Sequence, residues 1–289
     1  MGRVVVIVLI LVALLLTAGI MLPAVYRARN EEEFRRCQNH LRQVGNVGLF
    51  HSVTPGDPVP TRALEYLPAG TLGPERFAPE QRLSWYPLIM SAIEVNPAVA
   101  PEQRRSDTPM LGLLRGLDVQ QAWDAPANQK MAKTKLVVAL CPAQRPTPTM
   151  DGFERTNYLG NGGLGANTPA LSIEEAGGKA GVFRYDSRTP IEAIRDGDGL
   201  SNTISIVETA RDLGPWLSGG PATIRCLEGD DPPLGPGRMY AGCHPNRANF
   251  AFADGSVQVK SIQMDPVVFR AMLTIQGGDS EADFSDRQP

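Results

Sequence analysis

VVVIVLILVALLLTAGIML, residues 4–22, runs for nineteen residues without a charge. At 1.5 Å per residue this is about 28 Å of helix, close to the hydrocarbon thickness of a bilayer. The stretch reads as an uncleaved membrane anchor. A cleavable secretory signal is the competing reading, with Arg3 as its basic region and Thr17-Ala18-Gly19 as its small-residue site, but the apolar run is longer than such signals use. Beyond Pro23 the helical pattern resumes. Phe34, Cys37, Leu41, Val44 and Gly48 recur at spacings of three and four and form one narrow apolar or small stripe, while Glu31, Glu32, Arg35, Arg36 and Arg42 fall on the other faces. The spacing predicts a helix that leaves the membrane and lays one stripe on a globular partner.

That partner occupies the rest of the 289 residues, and the expected organisation is residues 1–50 as the helix and 51–289 as a β-rich domain. The 29 glycines and 25 prolines are spread among apolar segments, as in a loop-rich β domain. Residues 53 to 80 are proline-rich and read as an irregular connection, and Leu83 to Val95 as a short helix or strand. Strands are expected at Lys135–Cys141, Thr156–Leu159, Gly181–Tyr185 and Thr203–Glu208. Asn249–Ala253 meets Ser256–Lys260 across Asp254-Gly255, a two-residue type I′ signal that would set Phe252 opposite Val257 and Phe250 opposite Val259. Asp265 followed by Pro266 opens a closing helix through Val268 and Met272 that stops at Gly277-Gly278.

Twenty-eight basic against thirty-one acidic residues leave no dense basic block, so nucleic acid is not an expected partner. The four cysteines, Cys37, Cys141, Cys226 and Cys243, contain no C-x-x-C pair and give no zinc-ribbon or thioredoxin signal. In an oxidising compartment they permit two disulfides, Cys226 with Cys243 and then Cys37 with Cys141. His244 lacks a nucleophile motif and a second histidine at metal spacing, and reads as a structural residue pinning the segment that enters the hairpin. Asp196-Gly-Asp198-Gly199 with Ser201 and Asn202 has part of a calcium loop's oxygens and reads as an Asx-stabilised turn. Gly160–Gly165 reads as a loop needing positive φ. No catalytic, cofactor or metal residue is assigned, and no enzyme activity is expected.

LPAVYRAR at the membrane exit, CQNHLRQVG on the emerging helix, CPAQ at Cys141, NYLGNGG at Asn157, DGLSNTISIVE at Asp198 and HPNRANFAFADGSV from His244 occur in this order. The series resembles the domain-of-unknown-function 1559 family, prepilin-like proteins with a C-terminal H-x(9)-D-G signature, here His244, Asp254 and Gly255. The resemblance implies an α+β, type IV pilin-like fold, with a long N-terminal transmembrane helix packed on a mostly antiparallel sheet. It also implies a pseudopilin-like structural or interaction protein on the exported side of a bacterial inner membrane, held in the bilayer through residues 4–22 and partnered by other pseudopilin-like or envelope proteins. The positive-inside count, Arg3 before the span against Arg27, Arg29, Arg35 and Arg36 after it, opposes that orientation, whereas the cysteines, the short N-terminal tail and the resemblance favour it. Relatives carry a prepilin cleavage signal with a glutamate. Here Arg3 follows Gly2, and Val6 or Ile7 stands where the glutamate would fall, so processing as a prepilin is not expected. An anchored receptor for a solute or glycan, using Trp85, Trp123 and Trp216 as platforms, is the alternative.

Overall fold

The structure is a computed structural model that describes residues 2–50, 66–95, 114, 116–145, 151–229, 232–235, 237–240 and 242–277. Helix α1, Gly2–Phe50, is continuous through Pro23. Proline removes one backbone donor from the ladder, and the turn that follows is exposed. Three i,i+4 pairs decorate this exposed stretch, Arg29–Glu33, Glu31–Arg35 and Glu32–Arg36, each of the solvated kind that adds only tenths of a kcal/mol. The apolar segment before Pro23 touches nothing in the chain and is long and apolar enough to cross a membrane. Phe34, Cys37, Leu41 and Val44 are buried, as the stripe requires. Gly48 lies outside the residues whose burial is described.

The described residues of the domain contain nine short strands: β1 Tyr66–Leu67, β2 Thr71–Leu72, β3 Leu83–Ser84, β4 Tyr158–Leu164, β5 Thr189–Pro190, β6 Ile204–Glu208, β7 Ile224–Leu227, β8 Arg247–Phe252 and β9 Val257–Ser261. β1 pairs with β5 and β2 with β3, both antiparallel. The main sheet has the order β7-β4-β6-β8-β9, antiparallel except for the parallel β4–β7 pair. The arrangement is α+β with a mixed sheet.

Alternation along the strands gives this sheet two apolar faces. Tyr158, Ile206, Ala251 and Ala253 face α1, and Gly45 of α1 abuts Ala251 so closely that an added Cβ would stand 2.9 Å from the alanine methyl. Leu159, Ile204, Val207, Phe250 and Phe252 face the other way, onto Tyr240 and onto Phe269 and Leu273 at the closing helix Pro266–Met272. That helix starts as expected, with Asp265 Oδ1 accepting the Val267 amide at 2.8 Å and Pro266 at the first helical position, but it ends at Met272, before the glycine pair.

Several expectations change. Lys135–Cys141 is not a strand but holds a 3-10 turn, Val137–Ala139, and Gly181–Tyr185 forms no strand. Leu83 to Val95 divides into β3 and a helix, Tyr86–Val95. Residues 53–65 of the irregular connection lie outside the described residues. The glycine run is strand β4 itself. It takes glycine because the Phe183 ring lies where a Cβ on Gly160 would come within 2.7 Å, and because Gly163 has φ +92° at a register shift.

The hairpin is displaced by one residue from the type I′ register. Ala251 pairs with Val257, Phe250 with Gln258 and Asn249 with Val259. Only Gly255 has positive φ, at +83°, and its amide bonds Phe252 O at 2.9 Å. This is a three-residue loop closed by a glycine bulge. The slip matters because it moves Val257 and Val259 off the phenylalanine face and onto the face of Ala251 and Asn249, where Val257 packs against the core on the α1 side.

Candidate functional site

Where α1 crosses the sheet, four buried side chains from four separate segments converge: Cys37, Cys141, Glu208 and His244. One donor atom from each lies within 4.8 Å of the others. Cys37 is on the packed stripe of α1. Cys141 follows the 3-10 turn, and its backbone amide bonds Asn157 Oδ1 at 3.0 Å, while His40 on α1 bonds the carbonyl of neighbouring Leu140 through Nδ1 at 2.9 Å. Glu208 ends β6 in phase with Ile206, so it points toward α1. His244 precedes a turn in which Pro245 is followed by Asn246 at φ +59°, the residue types of a type II turn, and it bridges to Arg247 across that turn.

Cys37 Sγ lies 3.3 Å from Glu208 Oε1, and Cys141 Sγ lies 3.2 Å from His244 Nε2. His244 Nε2 is 3.9 Å from Glu208 Oε1. Around this centre stands a ring of donors. Glu208 Oε2 accepts from the Asn249 backbone and side-chain amides, both at 3.1 Å, and Oε1 accepts from the Cys243 amide at 3.3 Å. The Tyr158 hydroxyl and Asn249 Nδ2 each donate to Cys37 Sγ, at 3.2 and 3.3 Å. A lid covers His244: the Phe34 ring meets the imidazole edge-on at 4.9 Å, the Arg247 guanidinium lies 3.4 Å above that phenyl ring, and the same guanidinium bonds Glu31 at 2.9 Å.

Burial disfavours charge on most of these groups. It pushes the Cys37 thiol and the Tyr158 hydroxyl far up. The Cys141 thiol is also raised, first by its hydrogen bond with Cys243 and then by burial. Burial lowers the pKa of His244, against the opposing pull of Glu208. Burial thus favours the neutral forms of the imidazole and both thiols, around Glu208 oxygens that accept several hydrogen bonds. Among the described residues, these four have donor atoms close enough to share one cation.

Of the other singled-out residues, Cys243 borders this centre through Cys141 and Glu208, and the rest lie apart from it. Asp254 is exposed in the hairpin loop, where its carboxylate accepts the Ser256 amide at 2.8 Å, and Gly255 supplies the loop's positive φ. The H-x(9)-D-G residues therefore divide between a buried cluster and a turn. All four cysteines are free, so the expected Cys226–Cys243 and Cys37–Cys141 disulfides are not formed. The first pair is separated by the sheet order. Cys226 is on β7, two strand spacings or roughly 10 Å from β6, where Cys243 is held, whereas a disulfide needs Cα atoms within about 7 Å. Burial pushes the Cys226 thiol up to about 12. Asp198 makes a turn: its Oδ2 accepts the Gly277 amide at 2.8 Å and its carbonyl accepts Asn202 Nδ2 at 3.0 Å.

The glutamate was the member missed in the sequence. Its signal was present, an acidic side chain closing the apolar strand ISIVE in phase with a core-facing isoleucine. The partners of His244 are 36 to 207 positions away, so no local spacing shows them.

Residues 35–226 match the family model described as a protein of unknown function (DUF1559), a span that includes Cys37, Cys141 and Glu208 but not His244. No curated protein and no solved structure matches the chain. With the match covering well over half of its length, the chain belongs to the DUF1559 family.

Proposed function

We infer that this protein is a membrane-anchored, non-catalytic structural or interaction component of the cell envelope, pseudopilin-like in its use of one helix both as anchor and as core element. The observation that carries this reading is the course of α1. Its apolar first half is fully exposed within the chain, and the same uninterrupted helix then buries Cys37, Leu41 and Val44 in the domain. A helix this exposed and apolar needs lipid or other apolar helices around it. Its rigid continuation would hold the domain at a fixed height and angle above the bilayer. Exported placement, on the outer side of a bacterial inner membrane, rests on the family resemblance. Assembly through the apolar halves of neighbouring copies would proceed without the prepilin glutamate, whose place is taken by Val6 or Ile7.

The receptor alternative loses support. Trp85 and Trp216 are fully buried, with their indole nitrogens bonded to Thr223 O and Thr134 O, and Trp123 packs edge-on against Phe153. None stands as an open stacking platform.

The full-length chain should sediment with membranes and resist high-salt extraction, and deletion of residues 4–22 should release it. Photocrosslinkers at Ile10 and Leu14 should then yield ladders of the chain with itself or with other envelope proteins. Full-length protein in the soluble fraction would refute the anchor, and crosslinking to lipid alone would refute assembly through the span.

A further inference from the structure

We propose that Cys37, Cys141, Glu208 and His244 form a closed, four-coordinate site for a divalent transition metal of the zinc class, fastening the anchor helix to the sheet. The site stands independently of the anchoring reading.

Its dimensions argue first. Bond lengths of roughly 2.0–2.3 Å around tetrahedral Zn2+ put neighbouring ligand atoms about 3.3–3.8 Å apart. The edges here are 3.2 Å for Cys141–His244, 3.3 Å for Cys37–Glu208 and 3.9 Å for His244–Glu208, with none above 4.8 Å. Small rotamer adjustments close such a tetrahedron.

The donor set argues second. Two sulfurs, an imidazole nitrogen and a carboxylate oxygen suit Zn2+ or Co2+, whereas calcium and magnesium prefer oxygen ligands throughout. With four protein ligands the sphere is complete, the mark of a structural rather than a catalytic site.

The surroundings argue third. Cys37 Sγ accepts two hydrogen bonds while touching a buried carboxylate oxygen. Two such acceptors are not held together without a proton or a cation between them. In the metal-free chain that role falls to the Cys37 thiol proton. On binding, the metal ion takes its place: one M2+ enters, each thiol gives up one proton to solvent, two metal–sulfur bonds form and no oxidation state changes. The donors from Tyr158 and Asn249 then serve the coordinated thiolate. The two Asn249 bonds fix Glu208 Oε2 and turn Oε1 toward the metal, as outer-shell partners do for metal ligands.

The experiment uses full-length protein in detergent, reduced and freed of metal by a chelator, and titrated with Co2+ and Zn2+. We expect one equivalent of Co2+ to bind with the intense visible absorption of a tetrahedral thiolate complex, which Zn2+ abolishes. Cys141→Ser and His244→Gln should weaken Co2+ binding by more than about 100-fold, and Tyr158→Phe by roughly 10–100-fold, the range of an outer-shell change. Cys226→Ser should bind as the wild type does. The wild-type spectrum depends on no variant folding. Three results would overturn the proposal: fully reduced wild type without that absorption, the absorption persisting in Cys141→Ser, or a Cys37–Cys141 disulfide in the isolated chain together with no Co2+ binding after its reduction.

Discussion

Gly163→Ala is expected to prevent folding, whereas Gly152→Ala should leave a folded and only modestly weakened domain. Both glycines have positive φ, +92° and +71°, so both substitutions carry the left-handed backbone penalty of about 1–2 kcal/mol. They differ in what the new methyl meets. At Gly152 nothing lies within 4 Å, but at Gly163 the Cβ would fall 2.2 Å from Lys179 O and 2.4 Å from Gly181 N. Those atoms are backbone and belong to the segment that bridges Gly163 to Ala180, where β4 passes close against its neighbour. The methyl can be accommodated only by parting the two chains, which would break the sheet's attachment to Val182 and Phe183 in the core. A loss beyond about 4 kcal/mol is enough to unfold many domains. Denaturant unfolding of the two variants side by side checks this, and similar midpoints would show that the close crossing is wrong.

Leu41→Ala is expected to cost roughly 2–5 kcal/mol, the usual range for a fully buried leucine. The damage should be local in a telling way. Leu41 is one helical turn from Cys37, and its loss would loosen the docking of α1 rather than the sheet. Trypsin sites at Arg35, Arg36 and Arg42 are exposed as side chains but sit in a docked helix. Cleavage there needs local opening, so its rate should rise by a factor of about 30 or more, given tenfold per 1.4 kcal/mol. Unchanged cleavage kinetics would mean that the helix is not held by this stripe.

Much of this architecture was legible in the sequence wherever one local rule was sufficient. The span, the buried stripe from Phe34 to Val44, β6 and the Asp265-Pro266 helix start each follow from periodicity or capping within a few residues. The hairpin was legible as a hairpin but not in register, because Asp-Gly fits both a two-residue turn and a three-residue loop, and the two differ in the face Val257 takes, here the α1 side of the sheet, which no local rule shows. The glycine run was misread as a loop. Its glycines answer to Phe183 and to the 179–181 backbone, neighbours that a sequence does not place beside β4. The cluster was illegible for the same reason: each of its members looks ordinary in its own segment, and the chemistry arises only when the helix, the CPAQ turn, β6 and the His244 turn meet.

The central claim is that one helix is lipid-borne at its start and core-borne at its end. Hydrogen exchange of the full-length chain in lipid nanodiscs tests it most directly, because it reads backbone protection segment by segment. Residues 4–22 should be protected by lipid and residues 34–45 by the domain, with faster exchange between them around residues 24–33, where side chains are exposed or only half-buried. Exchange at residues 34–45 as fast as at 24–33, or residues 4–22 unprotected in the disc, would contradict the account.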